Sequence, residues 1–244
     1  MSRRLPRTLP KAPKTEPPTN ARERLGHQTR ERLLEVAAGL VLRGSVSAMS
    51  ISELVQEAGV PASSIYWHFR SKEGLVAAVA AAAVERWLAL LPDPDSLPAT
   101  GDARVTAGIA GITEALVTDG RIVTLVIKVG VELGQARHSA LEIVRRARAD
   151  VIRYGVRVFS PAFDGLTERA ARTAAERMSA LLMATADGIA VNAAIEGRGG
   201  AALEEYEVLG ELAVLLYRQL SANEVSRRGP SRNRSGKQAS DRPG

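Results

Sequence analysis

The sequence contains no cysteine, so disulfides, thiol catalysis and cysteine-bound zinc are excluded. Its three histidines, His27, His68 and His138, are widely separated, and neither a metal nor a cofactor is expected. Aromatic residues are scarce, with two Trp, four Tyr and three Phe in 244 residues. Long apolar runs are missing too. The most apolar stretch, LVAAVAAAAV at 75–84, stops at Glu85 and Arg86. It is too short to cross a bilayer and suits a buried Ala-rich helix, so no membrane association is expected. Behind the basic, Pro-rich start there is no apolar stretch, so no secretory leader is expected and the expected setting is a reducing cytoplasm.

The net charge of +6 is also missing from the middle of the chain. Residues 1–24 hold seven Lys/Arg against two Glu, and residues 222–244 hold six against two acidic groups. The remaining body, 25–221, is therefore net −3. A basic isoelectric point that resides in the ends says nothing about what the folded part binds.

What is present is helical periodicity. Two ends, 1–24 and 222–244, are Pro-, Ser-, Gly- and Arg-rich and are expected to be disordered. Between them TRERLLEVAAGLVLRG places Leu34, Ala37, Ala38 and Val41 on one stripe and stops at Gly44. SISE at 50–53 reads as a capping box, Ser50 the cap and Glu53 reaching back, for a short helix closing at Gly59. Pro61 can open the next helix, where a missing N–H costs nothing. Ser71 then caps an Ala-rich helix running to about Leu91, and PDPDSLPATGD at 92–102 reads as a linker. Further helices are expected near 103–118, 138–159, 167–197 and 202–221. RIVTLVIKVGVELG at 121–134 is β-branched, but a lone strand would leave its backbone unpaired, so it is read as a buried helix. The fold class is all-α.

The scarce aromatics concentrate in one place, VQEAGVPASSIYWHFRSKEGL at 55–75. Two short helices joined by a tight Gly turn, after a first longer helix, make a helix-turn-helix. The second helix of such a pair enters the DNA major groove tip first. Small side chains at its tip, Ala62, Ser63 and Ser64, allow close approach to base edges or phosphates. Tyr66, His68 and Lys72 can donate to phosphate oxygens, Lys72 from a helix N-terminus where an anion is already favoured. Ser50 and Trp67 complete the candidate DNA-facing set. Phe69 and one of Tyr66 and Trp67 are expected to pin this helix to the first one as core. The alternative reading makes the whole aromatic cluster core.

Residues 29–75 resemble the DNA-binding domain of the TetR (tetracycline repressor-like) family of bacterial regulators. The likeness rests on the Ala-Gly-Val turn, the aromatic-aromatic-His-Phe run and the Ser-Lys-Glu-x-Leu helix start in AGVPASSIYWHFRSKEGL. Pro61 departs from the pattern, standing where the family usually has a Ser cap. The resemblance implies four parts: a basic arm at 1–24, a DNA-binding domain at 25–75, a ligand-binding and dimerisation domain at 76–221, and a basic tail at 222–244. It also implies a homodimer on a double-stranded DNA operator, released by a small-molecule effector that tilts the helix 72–91. A regulator without such an effector, partner-controlled or activating, is the alternative.

Arg30, Arg32, Arg43, Arg70 and Lys72 are balanced in 25–75 by Glu31, Glu35, Glu53, Glu57 and Glu73. A neutral reading head gains little from bulk electrostatics. The arm either supplies phosphate or minor-groove contacts or is an inert solubilising tail.

In the second half, polar side chains that interrupt apolar stripes are pocket candidates: Arg148, Asp187 and Asn192, with Trp87 and Met183 as lining. Each also has a structural reading, as a snorkelling Arg, a helix–helix hydrogen bond or a core Trp. The aliphatic composition points to a hydrophobic or amphipathic effector. Leu181, Leu182 and Ile189 on 167–197, with Leu212 and Leu216 on the last helix, are expected at a twofold interface, or in the intrachain core. No catalytic constellation stands out, and EGRGG at 196–200 follows no strand, so no enzyme is expected.

Overall fold

The computed structural model describes residues 21–118, 121–136, 138–196 and 203–228, and among these every regular element is helical. In chain order they are α1 (Ala21–Arg43), α2 (Ile51–Ala58), α3 (Ala62–Phe69), α4 (Lys72–Leu88), α5 (Gly101–Thr118), α6 (Arg121–Gln135), α7 (Leu141–Phe159), α8 (Glu168–Ile195) and α9 (Leu203–Arg228). Local chemistry sets several of their ends. Ser50 Oγ accepts the Glu53 N–H at 3.0 Å and Ser71 Oγ accepts the Gly74 N–H at 2.9 Å, each satisfying a donor freed at a helix start. Gly59 ends α2 in the left-handed region at φ 68°, and its N–H bonds Val55 O.

Three boundaries differ from the sequence reading. Residues 21–24, expected in the disordered arm, form the first turn of α1, because Ala-Arg-Glu-Arg has good helix propensity. Residues 222–228, expected in the tail, continue α9. Residues 1–20 and 229–244, where the rest of both ends falls, lie outside the described residues. The Ala-rich helix stops at Leu88, short of Leu91.

Helix α6 settles the ambiguous 121–134 stretch. Ile122, Leu125, Val126, Val129 and Leu133 are buried at spacings of three and four, the helical period. The β-branched content gave strand propensity, but packing against α1, α4, α7 and α8 satisfies the helical stripe.

The segment 92–102 is no free linker. Tyr154 Oη donates to Pro92 O at 2.9 Å, and the buried Arg104 guanidinium donates to Pro94 O, Pro98 O, Arg157 O and Val158 O. Arg104 thereby ties this segment to the carbonyls at the end of α7, without a carboxylate partner among these bonds.

Helix α4 joins the two halves. Leu75, Val76, Ala77 and Ala80 are fully buried, and α4 packs against α1 and α3 on one side and α6 and α7 on the other. One continuous apolar core therefore runs from Leu33 and Ile65 in the head to Phe159 and Met178 in the body. A movement of the body can reach the head through close-packed side chains.

Candidate nucleic-acid interface and the body cavity

Helix α3 buries Ile65 and Phe69, one turn apart, against α1, α2 and α4. Tyr66 and Trp67 point outward, 52% and 77% exposed. The expectation that one of them is core is corrected: the second core anchor is Ile65, because i and i+4 share a helix face while Tyr66 lies about 80° and Trp67 about 180° from its midline. Ala62 and Ser64 are half-buried, Ser63 is exposed, and Ser50 is exposed with its hydroxyl engaged in capping α2. Pro61 caps α3 without a side-chain hydrogen bond. The first turns of α1, at Leu25, Gly26 and Thr29, border the same surface hollow as Ser63, Ser64, Trp67 and His68.

His68 stands edge-on to Trp67, with ring centroids 4.5 Å apart. Burial, and secondarily the Arg30 charge, hold its imidazole below the ordinary histidine range. Arg30 itself lies over the Phe69 ring at 5.7 Å. Lys72, expected to face phosphate, sits at the start of α4 and donates to Ser47 O at 3.1 Å.

A tight corner fixes α3 relative to α4. Arg70 has φ 69° and ψ −37°, a region that non-glycine residues rarely occupy, and its N–H bonds Tyr66 O. Gly74 lies so close beneath this corner that a Cβ there would come within 2.2 Å of Phe69 O. The angle of the reading helix is thus built from one strained residue, one serine cap and one obligatory glycine.

The sequence reading missed a polar contact between body and head. Lys128 Nζ donates to Val41 O, Leu42 O and Gly44 O, carbonyls at the C-terminal end of α1. One turn further along α6, Glu132 accepts the N–H groups of Val46 and Ser47, each at 2.9 Å, and the Ser47 hydroxyl at 2.5 Å. Partial burial of the Glu132 carboxyl acts upward on its pKa. The bonds from Ser47 and Val46, and the nearby Lys72 charge, outweigh it and leave the group below the ordinary carboxylate range. The available signal was that these are the two charges within the otherwise apolar 122–134 run.

On another side of α6, Ile122, Val123 and Val126 line a cavity of about 100 Å³ enclosed with α4, α5, α7, α8 and α9. Trp87, Arg148, Met183 and Asp187 all reach its wall, so the body brings four of the five candidate ligand residues together. Asn192 does not line this cavity; it borders an outer groove of about 640 Å³ between α6, α7 and α8, and its amide donates to Glu196. Arg148 and Asp187 border both spaces and form a two-bond ion pair, at 2.5 and 3.3 Å, between them. The pair resolves the cost of a charge on the α7 stripe. Trp87 is buried, and its indole N–H has no hydrogen-bond partner among the described residues.

The expected interface residues divide. Leu181 is exposed on α8, whereas Leu182, the next residue round the helix, is buried and lines the cavity. Ile189, Leu212 and Leu216 are partly buried against the chain's own core. The outward apolar side chains are Leu181, Val191 and Ile195 on α8 with Val208 and Leu215 on α9.

A Gly-turned helix pair with an exposed polar and aromatic face, carried on an all-helical body, is a helix-turn-helix unit of the DNA-binding type. Residues 33–79 match the family model of the bacterial regulatory proteins, tetR family. This stretch is what the chain shares with that family. Over 48 residues it is 42% identical to the HTH-type transcriptional regulator AcrR of Shigella flexneri, a match spanning 20% of this chain and 22% of that one. The chain thus matches little more than a fifth of that relative's length. The fold is similar to that of a TetR transcriptional regulator from Legionella pneumophila, at 18% identity and TM-score 0.57, over 80% of this chain and 97% of that one. It is also similar to a transcriptional regulator from Rhodococcus sp. Rha1, at 21% identity and TM-score 0.56, over 78% and 96% of the two chains.

Proposed function

We propose that the chain acts as a dimeric repressor whose operator binding is released by a small molecule held in the body cavity. The observation that carries this reading is the double role of α6. Its Ile122, Val123 and Val126 line the cavity, while Lys128 and Glu132 grip the segment joining α1 to α2. A ligand that shifts α6 pulls on the head through ionic and backbone hydrogen bonds, and α4 carries the same displacement through the core. Two reading helices must match half-sites about 34 Å apart, so a shift of a few ångströms suffices to lose the second one.

In this reading Ala62, Ser63, Ser64 and Tyr66 meet bases and phosphates, with Trp67 and His68 at the flank and Lys72 and Ser50 beside them. The basic arm adds phosphate contacts in this reading. The outward Leu181, Val191, Ile195, Val208 and Leu215 form the twofold interface. Among the described residues α8 is long and apolar enough to cross a membrane by length and composition, and a dimer face accounts for that apolar surface.

Calorimetry of an effector with and without operator DNA tests the repressor reading. By linkage, a releasing ligand binds the free protein more tightly than the complex, by the factor by which it weakens DNA binding. Equal affinities sink it. One observation favours the alternative of a regulator without an effector, the small free volume of the inner cavity. In that case no ligand changes operator affinity, while specific DNA binding persists.

A further inference from the structure

The cavity wall specifies what kind of molecule it takes. We infer that the ligand is an uncharged, mainly apolar molecule of about one ring in its buried part, carrying a hydrogen-bond acceptor that meets the Trp87 indole N–H. This rests on the reading of the cavity as a ligand site and adds the chemistry of the ligand.

Three observations carry it. First, the wall is almost wholly aliphatic and aromatic, with Val84, Ile109, Val126, Val151, Phe159 and Leu209 among its side chains. Second, its two charges cancel. Arg148 and Asp187 satisfy each other through two hydrogen bonds at the rim, each side chain about one-third exposed or less, at 31% and 26%. An anion would have to part Arg148 from Asp187 and leave a carboxylate unpaired; a cation would leave the guanidinium so. A neutral guest leaves the pair intact. Third, the polar groups of the wall are asymmetric. Ser179 Oγ donates to Ala175 O and Tyr154 Oη donates to Pro92 O, so both protons are engaged. Among the described residues Trp87 keeps an unpaired donor, in a residue only 6% exposed, whose nitrogen water cannot reach in this structure, so an acceptor meets it as the wall shifts to admit the guest. A buried N–H without a partner is costly, and a ligand acceptor removes that cost on binding. The free volume of about 100 Å³ is below the ~150 Å³ of an apolar cavity that takes benzene, so one ring is the upper limit for the buried part. Any longer ligand would extend into the outer groove past the ion pair.

Three one-ring probes of nearly equal shape separate these requirements: acetophenone, α-methylstyrene, in which CH₂ replaces the ketone oxygen, and benzoate. They are titrated into the full chain while the indole N–H resonances are followed by ¹H–¹⁵N NMR. The two Trp signals are assigned with Trp67→Phe, a change on the exposed reading face. The expected result is a downfield shift of the Trp87 N–H with acetophenone, and about fivefold tighter binding than α-methylstyrene. Benzoate binds weakest. Equal binding of ketone and alkene with an unmoved Trp87 signal overturns the inference. So does tighter binding of benzoate, or no binding of any probe at millimolar concentration. The alkene comparison uses the unaltered protein, so the outcome does not depend on whether Trp87→Phe folds. If acetophenone binds as expected but leaves operator affinity unchanged, the repressor reading fails and the ligand chemistry stands.

Discussion

Glu132 holds Ser47 from 85 residues away, accepting both its backbone N–H and its hydroxyl. With Lys128 on the carbonyls of Val41, Leu42 and Gly44, α6 spans the turn between α1 and α2 at both ends. Replacing Glu132 by Ala strands two N–H groups. Because the carboxylate is only partly buried, the expected loss is about 1 kcal/mol in urea unfolding. Hydrogen exchange at Val46 and Ser47 should accelerate while that of the α8 core does not. The carboxyl pKa is depressed in the folded state, so its stabilisation is full above the ordinary value of 4.5 and fades as pH falls through the lower folded value. Unchanged exchange at these two amides would show that the contact carries no load.

The corner between α3 and α4 has no room for a side chain at Gly74. Gly74→Ala should therefore displace Phe69 or the start of α4, and sequence-specific DNA binding should fall by at least tenfold. At Arg70, where φ is 69°, Gly removes strain of about 1 kcal/mol. Arg70→Gly should raise the melting temperature. A Gly74→Ala protein that binds operator normally would refute the proposed rigidity of this corner.

On the proposed interface, a phosphate at His68 would give DNA binding a pH dependence with a definite sign. Burial and the Arg30 charge hold its pKa below 6.5 in the free protein, so lowering pH through that value destabilises the fold slightly. A phosphate oxygen at the imidazole favours the protonated form and raises the pKa. Binding then takes up a proton, and operator affinity should tighten as pH drops from about 8 to about 6. His68→Gln should flatten that slope. A slope that survives the substitution assigns the proton to another group.

Arg104 is 5% exposed and donates to four carbonyls, the shortest contact being 2.6 Å to Val158 O. Arg104→Ala should cost about 3 kcal/mol and free the 92–102 segment from α7. Lysine cannot reproduce the planar fork and should recover only part of this. Chemical denaturation with an unchanged m-value measures it. A loss under about 0.5 kcal/mol would mean that the four contacts are dispensable.

The outward apolar face of α8 and α9 makes a prediction about assembly. Leu181 and Leu215 are 47% and 62% exposed, so arginine at either should leave the monomer fold intact. If this face is the twofold interface, sedimentation at micromolar concentration should show monomers for the double variant and dimers for the parent. Operator affinity should fall with it, since one head reads only one half-site. A double variant that remains dimeric places the interface elsewhere.

Much of the reading head was legible because its determinants are local. Ser50 and Ser71 bond N–H groups three residues ahead, Gly59 turns the chain by its own φ, and the stripe of Leu34, Ala37 and Val41 repeats within one helix. The stripe in α6 was equally local, and there helical period outweighed β-branched propensity. Periodicity misled where two residues adjoin on one helix. Leu181 and Leu182 look alike in sequence, and only the position of α7 and α9 puts one outside and the other against the cavity.

By itself the sequence determined an all-helical chain and the helix-turn-helix with its caps. Each of these depends on hydrogen bonds or a helical repeat that close within a few residues. The tertiary structure alone decided that Arg148 finds Asp187 across 39 residues, that α6 grips the head through Lys128 and Glu132, and that Trp87 keeps a donor unpaired among the described residues. Those facts depend on which helix faces come to lie together. Electrostatic pairing and burial are properties of that arrangement in space, and no local pattern along the chain encodes them.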